Sequence, residues 1–293
     1  MNNINQIELE NGMIIPAIGF GSSKHDFPTS IDEIILNAID VGFRYFDTAS
    51  IYQTERDIGR ALKTSGLKRE EYFVASKLWF EELGYKKAKE ACLESLSRLD
   101  TGYIDIYFIH WPKAKSDDPN WKQTLIGTYR ALIELKQEGK IRAIAVSNFL
   151  PHHLQVIFDN FDEKPIIDQL ELHMGYFQEY AVRFLEENNI QVQAWSPLGR
   201  GLKCFVDNKI LNDLANKYNV SIQKLGLRFL TQRGIMPIVW STSKEHMKEN
   251  LNLFDFDISN EDMSLLSCMP QENWLGEHPD FYLPKNKVLN KNQ

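Results

Sequence analysis

Along the chain, short runs rich in β-branched and aromatic residues alternate with longer segments whose apolar positions recur at helical spacing. The strand runs fall at Ala17–Phe20, Tyr45–Phe46, Tyr72–Ala75, Ile104–Ile109, Ala143–Val146, Ile166–Gln169, Gln191–Ala194 and Met236–Val239. Between them, helical patterns cover Ser30–Val41, Arg56–Ser65, Tyr85–Leu99, Trp121–Gly139, Leu150–Phe158, Glu179–Asn188 and Ser221–Arg233. Each helix is a crossover of the kind that a parallel strand pair requires. The strands read as apolar runs rather than strict alternations, as expected of strands buried on both faces. Eight such units predict an α/β chain closed into a (β/α)8 TIM barrel, in preference to an open doubly wound sheet.

Three segments stand outside this rhythm. Ile7–Ile15 alternates around Asn11-Gly12, a dipeptide that favours the left-handed turn of a tight hairpin, and predicts a small N-terminal β-hairpin cap. Gly199–Lys209 precedes an additional helix near Ile210–Tyr218, and the tail from Pro270 to Gln293 is rich in Trp, Pro, Asn and Lys. Both are expected to form loops over one rim of the barrel. With no linker, repeat or second apolar core in view, residues 1–293 read as a single domain.

Composition narrows the classes. A chain of 293 residues with 43% hydrophobic and 25% charged positions can bury a large core and still cover itself with charge. Forty acidic against 33 basic residues give a net charge of -7, and the Lys and Arg residues are scattered, which argues against a nucleic-acid partner. No basic-then-apolar leader opens the chain and no run reaches the roughly 18 apolar residues of a membrane span, so a cytoplasmic protein without a membrane partner is expected. Cys92, Cys204 and Cys268 are odd in number and widely spaced, suggesting buried free thiols and neither a disulfide framework nor a metal site. A monomer or weak homo-oligomer is the expected assembly.

In a barrel of this kind, chemistry gathers just past the carboxyl ends of the strands. Read in order, those positions hold Asp47 and Tyr52, Lys77, His110, Ser147 and Asn148, Gln169, and Trp195. Reduction of a carbonyl needs a hydride donor and an acid for the developing alkoxide, and a phenol can be that acid. A free tyrosine titrates near pH 10, so a neighbouring Lys77 ammonium, held by Asp47, is expected to lower Tyr52. His110 can orient the carbonyl oxygen. Two other readings fit the same residues: a class I Schiff-base lyase using Lys77, and a cofactor-binding regulatory barrel with negligible turnover.

The segments GFRYFDTASIYQTERDIGRAL, SKLW, IDIYFIHWP, AVSNF, DQLELH and AWSPLG occur in this order, and through them the chain resembles the aldo-keto reductases over roughly residues 5 to 270. The resemblance implies an oxidoreductase reducing aldehydes or ketones to alcohols, with Tyr52 as general acid/base and Asp47, Lys77 and His110 as its partners. It also implies NADP(H) lying extended across the rim without a glycine-rich Rossmann turn, and GFGSSK indeed lacks the third glycine of that fingerprint. By the same likeness Ser147, Asn148 and Gln169 hold the carboxamide, Trp195 stacks on the nicotinamide, and Gly21, Ser22, Ser196, Leu198 and Gly199 flank the cofactor. Ser241, Thr242, His246 and Asn250 would face its phosphate-bearing end, where a helix start favours an anion.

The chain departs from the family at that end. Many relatives place a Lys before the serine and an Arg five residues after it, gripping the 2′-phosphate, whereas VWSTSKEHMKEN puts Trp240 and His246 there. Charge-assisted hydrogen bonds contribute about 1.5–3 kcal/mol each, so the loss leaves NAD(H) open as an alternative cofactor unless Lys244 compensates. Ser23, Trp79, Phe80, Trp111 and Trp274, with Phe281 and Tyr282, are the expected pocket for a small-molecule carbonyl substrate. His173 reads as structural, and His152 and His153 as an exposed helix start behind Pro151.

Overall fold

The computed structural model describes residues 6–23, 29–201 and 205–281, so Cys204 and Tyr282 lie outside the described residues. Strands β1 (Gln6–Glu8) and β2 (Ile14–Pro16) form an antiparallel hairpin. Eight parallel strands follow: β3 (Gly19–Gly21), β4 (Tyr45–Asp47), β5 (Phe73–Leu78), β6 (Ile104–Ile109), β7 (Ile141–Ser147), β8 (Ile167–Glu171), β9 (Gln191–Trp195) and β10 (Met236–Val239). Each pairs with the next, and β10 closes onto β3 through Ile238 opposite Gly19. The expected barrel is therefore formed.

The helices around it are α1 (Ile31–Val41), α2 (Glu55–Thr64), α3 (Tyr85–Leu99), α4 (Trp121–Gln137), α5 (Pro151–Phe158), α6 (Glu179–Glu187), α7 (Lys209–Tyr218), α8 (Ile222–Gln232), α9 (Lys244–Leu251) and α10 (Asn260–Ser267). Local chemistry sets several of their ends. Ser30 caps α1 by accepting the Glu33 N–H, and Gly42, at φ 122°, stops it in a conformation costly for any side chain. Helices α9 and α10 were not among the expected patterns, because KEHMKENL and NEDMSLLS each bury only two residues and carry little apolar periodicity.

Apolar side chains fill two layers. The barrel lumen holds Tyr45, Ala75, Ile106, Phe108, Ala143, Ala145, Ile167, Met236 and Ile238, and Leu9 and Ile15 of the hairpin region join this cluster. A larger layer packs the outer strand faces against the helices. The hairpin itself is looser than expected: only Gly12 is left-handed (φ 77°), its N–H donating to Leu9 O at 2.8 Å, while the Leu9 N–H reaches Met13 O at 2.9 Å. Asn11 instead uses its side chain, accepting the Met13 N–H at 3.1 Å.

Strands β5 and β8 outrun their predicted ends, to Leu78 and Glu171. Lys77 and Gln169 thus stand within strands rather than at their ends. A lysine and a glutamate look like strand terminators in a hydropathy profile, but here both are buried and partnered.

Candidate active site

Asp47 is the last residue of β4, and the chain beyond Ala49 makes one 3₁₀ turn, Ser50–Tyr52, stopped by Gln53 at φ 59°. That turn lays the Tyr52 ring over the barrel mouth. Lys77, fully buried in β5, extends beneath it, with Nζ 5.7 Å from the ring centroid. Its ammonium donates to Asp47 Oδ1 and, at 3.0 Å, to Thr48 O. His110 follows β6, and its Nε2 lies 3.5 Å from the Tyr52 hydroxyl with the rings edge to face. The four residues expected to converge do so.

Burial lowers the Lys77 ammonium from its usual value, while Asp47 works in the opposite direction. Burial, and then the Lys77 charge, holds His110 well below the usual imidazole range, so its ring is neutral. Tyr52 departs from expectation. Burial, followed by the charges of Asp47 and Glu277, pushes its phenol well above the ordinary tyrosine value, against a smaller pull from Arg200. The expected lowering by Lys77 is not seen, because the Asp47 carboxylate paired with that ammonium acts on Tyr52 in the opposite direction. The commitment of the Lys77 ammonium to Asp47 and Thr48 O, with no exposed surface, disfavours the Schiff-base reading.

The adjacent strand ends form one connected polar set. Gln169 Nε2 donates to Asp47 Oδ2 and to Gln193 Oε1, both at 3.0 Å, and Gln193 Nε2 donates to the Tyr45 hydroxyl at 3.0 Å. Ser147 Oγ donates to Gln169 O at 2.8 Å. Asn148, left-handed at φ 61°, donates from Nδ2 to His110 O at 3.0 Å and accepts the Trp195 indole N–H at 2.8 Å. Trp195 is thus tethered by its edge, and its half-buried ring faces the rim. Amide, hydroxyl and carboxylate groups beside a tethered indole are the chemistry that a nicotinamide carboxamide and ring require, so these residues fit that cofactor.

Other predicted positions are more dispersed in role. Ser22 is buried and its hydroxyl donates to Asp47 O at 2.9 Å, bracing β4. Gly21 ends β3 where a Cβ would lie 3.2 Å from Ile238. Ser196 and Gly199 turn left-handed after β9, the Gly199 N–H closing on Ser196 O at 2.8 Å, with Leu198 between them half-buried. Ser241 and Asn250 are buried, while Thr242 and His246 are exposed at the start of α9, which Ser243 caps. Lys244 pairs with Asp40 at 2.8 Å.

Around the His110 ring, Trp79 sits edge-on at 5.0 Å, itself packed on Phe80 at 4.5 Å, and Trp111 stacks at 6.5 Å. His110 Nδ1 and Trp111 Nε1 are buried without hydrogen-bond partners. Ser23 lies at the rim after β3, and Trp274 is partly exposed, its indole N–H donating to Glu277 O at 3.1 Å. His173 is buried, lies 3.3 Å from Glu171 Oε1 and accepts the Gly175 N–H through Nδ1. His153 is not at an exposed helix start, being fully buried, whereas His152 is exposed.

Gln193, Arg200 and Glu277 were not singled out from the sequence. The Gln193 signal was present in the strand parity, since it lies two residues before Trp195 on the same face of β9 and stands directly opposite Gln169. Arg200 and Glu277 meet at 3.4 Å, with the guanidinium 5.8 Å from the Trp195 ring. Nothing local to either residue marks that pair.

A closed parallel barrel carrying a tyrosine, lysine, aspartate and histidine at its mouth, beside a tethered tryptophan, defines a hydride-transfer oxidoreductase acting on carbonyl groups. The aldo/keto reductase family model matches residues 17–268, and the chain belongs to that family. It is 38% identical to a glyoxal reductase of Bacillus subtilis (strain 168) over 94% of this chain and 97% of that one. Among solved structures it resembles MGS-M4, an aldo-keto reductase from a Medee basin deep-sea metagenome library (34% identity, TM-score 0.86, 94% and 98% of the two chains). It also resembles a Bombyx mori aldo-keto reductase in complex with NADP (32% identity, TM-score 0.84, 94% and 95%).

Proposed function

We propose that the protein reduces small aldehydes and dicarbonyl compounds with NADPH, Tyr52 supplying the proton. The observation that carries this reading is the Tyr52 hydroxyl standing 3.5 Å from a neutral His110 and above the buried Lys77–Asp47 pair. When bound, the nicotinamide supplies the hydride. Tyr52 then donates its proton to the carbonyl oxygen as charge develops there, and His110, as a neutral ring, orients that oxygen. Lys77 and Asp47 provide a fixed dipole beneath the phenol. Ser147, Asn148 and Gln169 would hold the carboxamide, and Trp195 the face of the ring. Trp79 and Trp111 flank the His110 ring with apolar surface, which is compatible with a small carbonyl compound of the kind named for the Bacillus relative.

The NADP-bound Bombyx relative supports NADP(H) as the cofactor. With Lys244 occupied by Asp40 and no cation at Trp240 or His246 equivalent to a guanidinium, discrimination against NADH should be weak. Tyr52→Phe should lower kcat for glyoxal reduction by about 10²–10⁴, with cofactor binding unchanged in tryptophan fluorescence. Because the phenol is held above its ordinary value, wild-type reduction should not decline with rising pH until beyond about 10. A Tyr52→Phe enzyme with near-normal turnover, or a wild-type rate that falls with a midpoint near neutrality, would overturn the assignment of the acid.

A further inference from the structure

The segment after α10 crosses the mouth of the barrel and is tied down at successive points. Gln271 Oε1 accepts the Phe177 N–H at 2.5 Å, the Asn273 N–H reaches Gly175 O at 3.2 Å, and the Leu275 N–H donates to the buried Glu171 Oε1 at 2.9 Å. Glu277 then meets Arg200 beyond β9, and Pro279 is buried. The path thus runs from the β8 side across β9 to the region beyond β6 and β7, where it ends on Asp280.

Asp280 is the most heavily engaged residue of that strap. Lys113 Nζ lies 2.6 Å from its Oδ1, His153 Nε2 3.1 Å from the same oxygen, and His152 Nε2 3.1 Å from Oδ2. Lys113 and His153 are themselves buried, at 8% and 0% side-chain exposure, so the receptor for this carboxylate is built into the barrel rather than assembled on its surface. Trp121 packs edge-on against both imidazoles and lies under the Lys113 ammonium. Behind the carboxylate, the Asp280 N–H donates to His278 Nδ1 at 3.1 Å.

The three groups His152, His153 and Asp280 also have ligand atoms close enough together for a metal ion. Two features oppose that reading. The Lys113 ammonium already occupies Asp280 Oδ1, and a cation placed there would be repelled by it. His153 Nδ1 accepts the Leu150 N–H at 3.0 Å, which fixes the ring proton on Nε2 and directs it at Asp280 as a donor. The cluster is therefore arranged to receive an anion, and the anion it holds is the chain's own.

We propose that Asp280 is a positioning residue which, docked on Lys113, His153 and His152, pins the strap across the mouth and so sets the ceiling of the substrate site. The strap reaches the chemistry through Glu277, whose charge acts on Tyr52, and through Arg200, which lies over the Trp195 ring. Burial works against the Asp280 charge, but Lys113 and the two imidazoles hold the carboxyl down to about 2, so the pin is ionised at neutral pH. His153, lowered to about 3 chiefly by burial, remains a neutral donor.

The inference rests on the carbonyl-reductase reading for its kinetic arm only. In the full-length protein, Asp280→Asn keeps the shape and removes the charge, Asp280→Glu keeps the charge, and Lys113→Ala removes the principal partner. Chymotrypsin cleavage after Trp274, which reports opening of the strap, should be about tenfold faster in Asp280→Asn and in Lys113→Ala. The double variant should be no worse than either single one, because both remove the same interaction. KM for glyoxal should rise about tenfold with kcat within about threefold, cofactor affinity should be unchanged, and Asp280→Glu should recover most of both effects. Wild-type cleavage rates in Asp280→Asn, additive effects in the double variant, or a parallel loss of cofactor affinity and thermal midpoint would each overturn the proposal. A wild-type enzyme without glyoxal turnover would sink the functional reading instead, leaving the cleavage measurements to judge the pin.

Discussion

Individual residues here are tuned by what surrounds them more than by their own type. Asp168 is the clearest case outside the site: it lies in β8, fully buried, and no side chain pairs with its carboxyl. Burial pushes its carboxyl well above the usual range, the Phe149 N–H offsetting this only in part. A folded-state value raised above the unfolded 3.8 means that its contribution to stability is intact below about pH 4 and is lost as pH rises. Asp168→Asn should therefore raise stability near neutrality by about 1–3 kcal/mol and make no difference at pH 4, as read from urea unfolding at both pH values. An equal effect at both would show that ionisation is not the cost. Asp47, Tyr52, Lys77 and His110 were legible because each sits at or near a strand end within a recognisable segment. Arg200 and Glu277 were not, since their pairing exists only once the tail has crossed the rim.

Among the elements, the apolar runs gave all eight barrel strands because both faces of each are buried, so hydropathy and position agree. Their ends were less legible wherever a charged residue is internally paired, as Lys77 is with Asp47 and Glu171 is with the Leu275 N–H. Short helices with polar outer faces, α9 and α10, lay below the reach of periodicity. Packing between elements was equally invisible: Gly59 in α2 gives no sequence signal, yet a Cβ there would lie 2.0 Å from Leu99 O at the end of α3. The obstacle is backbone, which cannot rotate away. Gly59→Ala gains up to about 1 kcal/mol of helix propensity but must force the two helices apart, at about 1–3 kcal/mol. The expected outcome is a lower thermal midpoint, and a higher one would mean that α3 shifts freely. The helices therefore approach as closely as a glycine allows, which fixes α2 and, through its first turn, the loop that carries Tyr52.

At the scale of the whole molecule, the barrel separates the work of its two ends. The Asp47, Tyr52, Lys77 and His110 groups occupy the carboxyl end of the strands, while the hairpin supplies Leu9 and Ile15 to the cluster inside the lumen. Both are buried, Ile15 completely, and they share a cluster with Tyr45, Phe108, Ile167 and Met236, which includes none of Asp47, Tyr52, Lys77 and His110. Leu9→Ala or Ile15→Ala leaves a cavity that the closed sheet cannot collapse to fill, so each should cost about 2–5 kcal/mol. In barrels of this architecture the opposite end governs stability while the carboxyl end governs reaction, so kcat/KM at a temperature where the variant remains folded should be unchanged. Urea unfolding and steady-state kinetics on the same preparations separate the two quantities. A large loss of kcat/KM in a folded Ile15→Ala protein would mean that strain passes along the lumen through Tyr45 and Gln193 to Gln169 and Asp47, the polar chain that links that layer to the site. An unchanged value would show that this chain is stiff enough to hold the site independently of the cap.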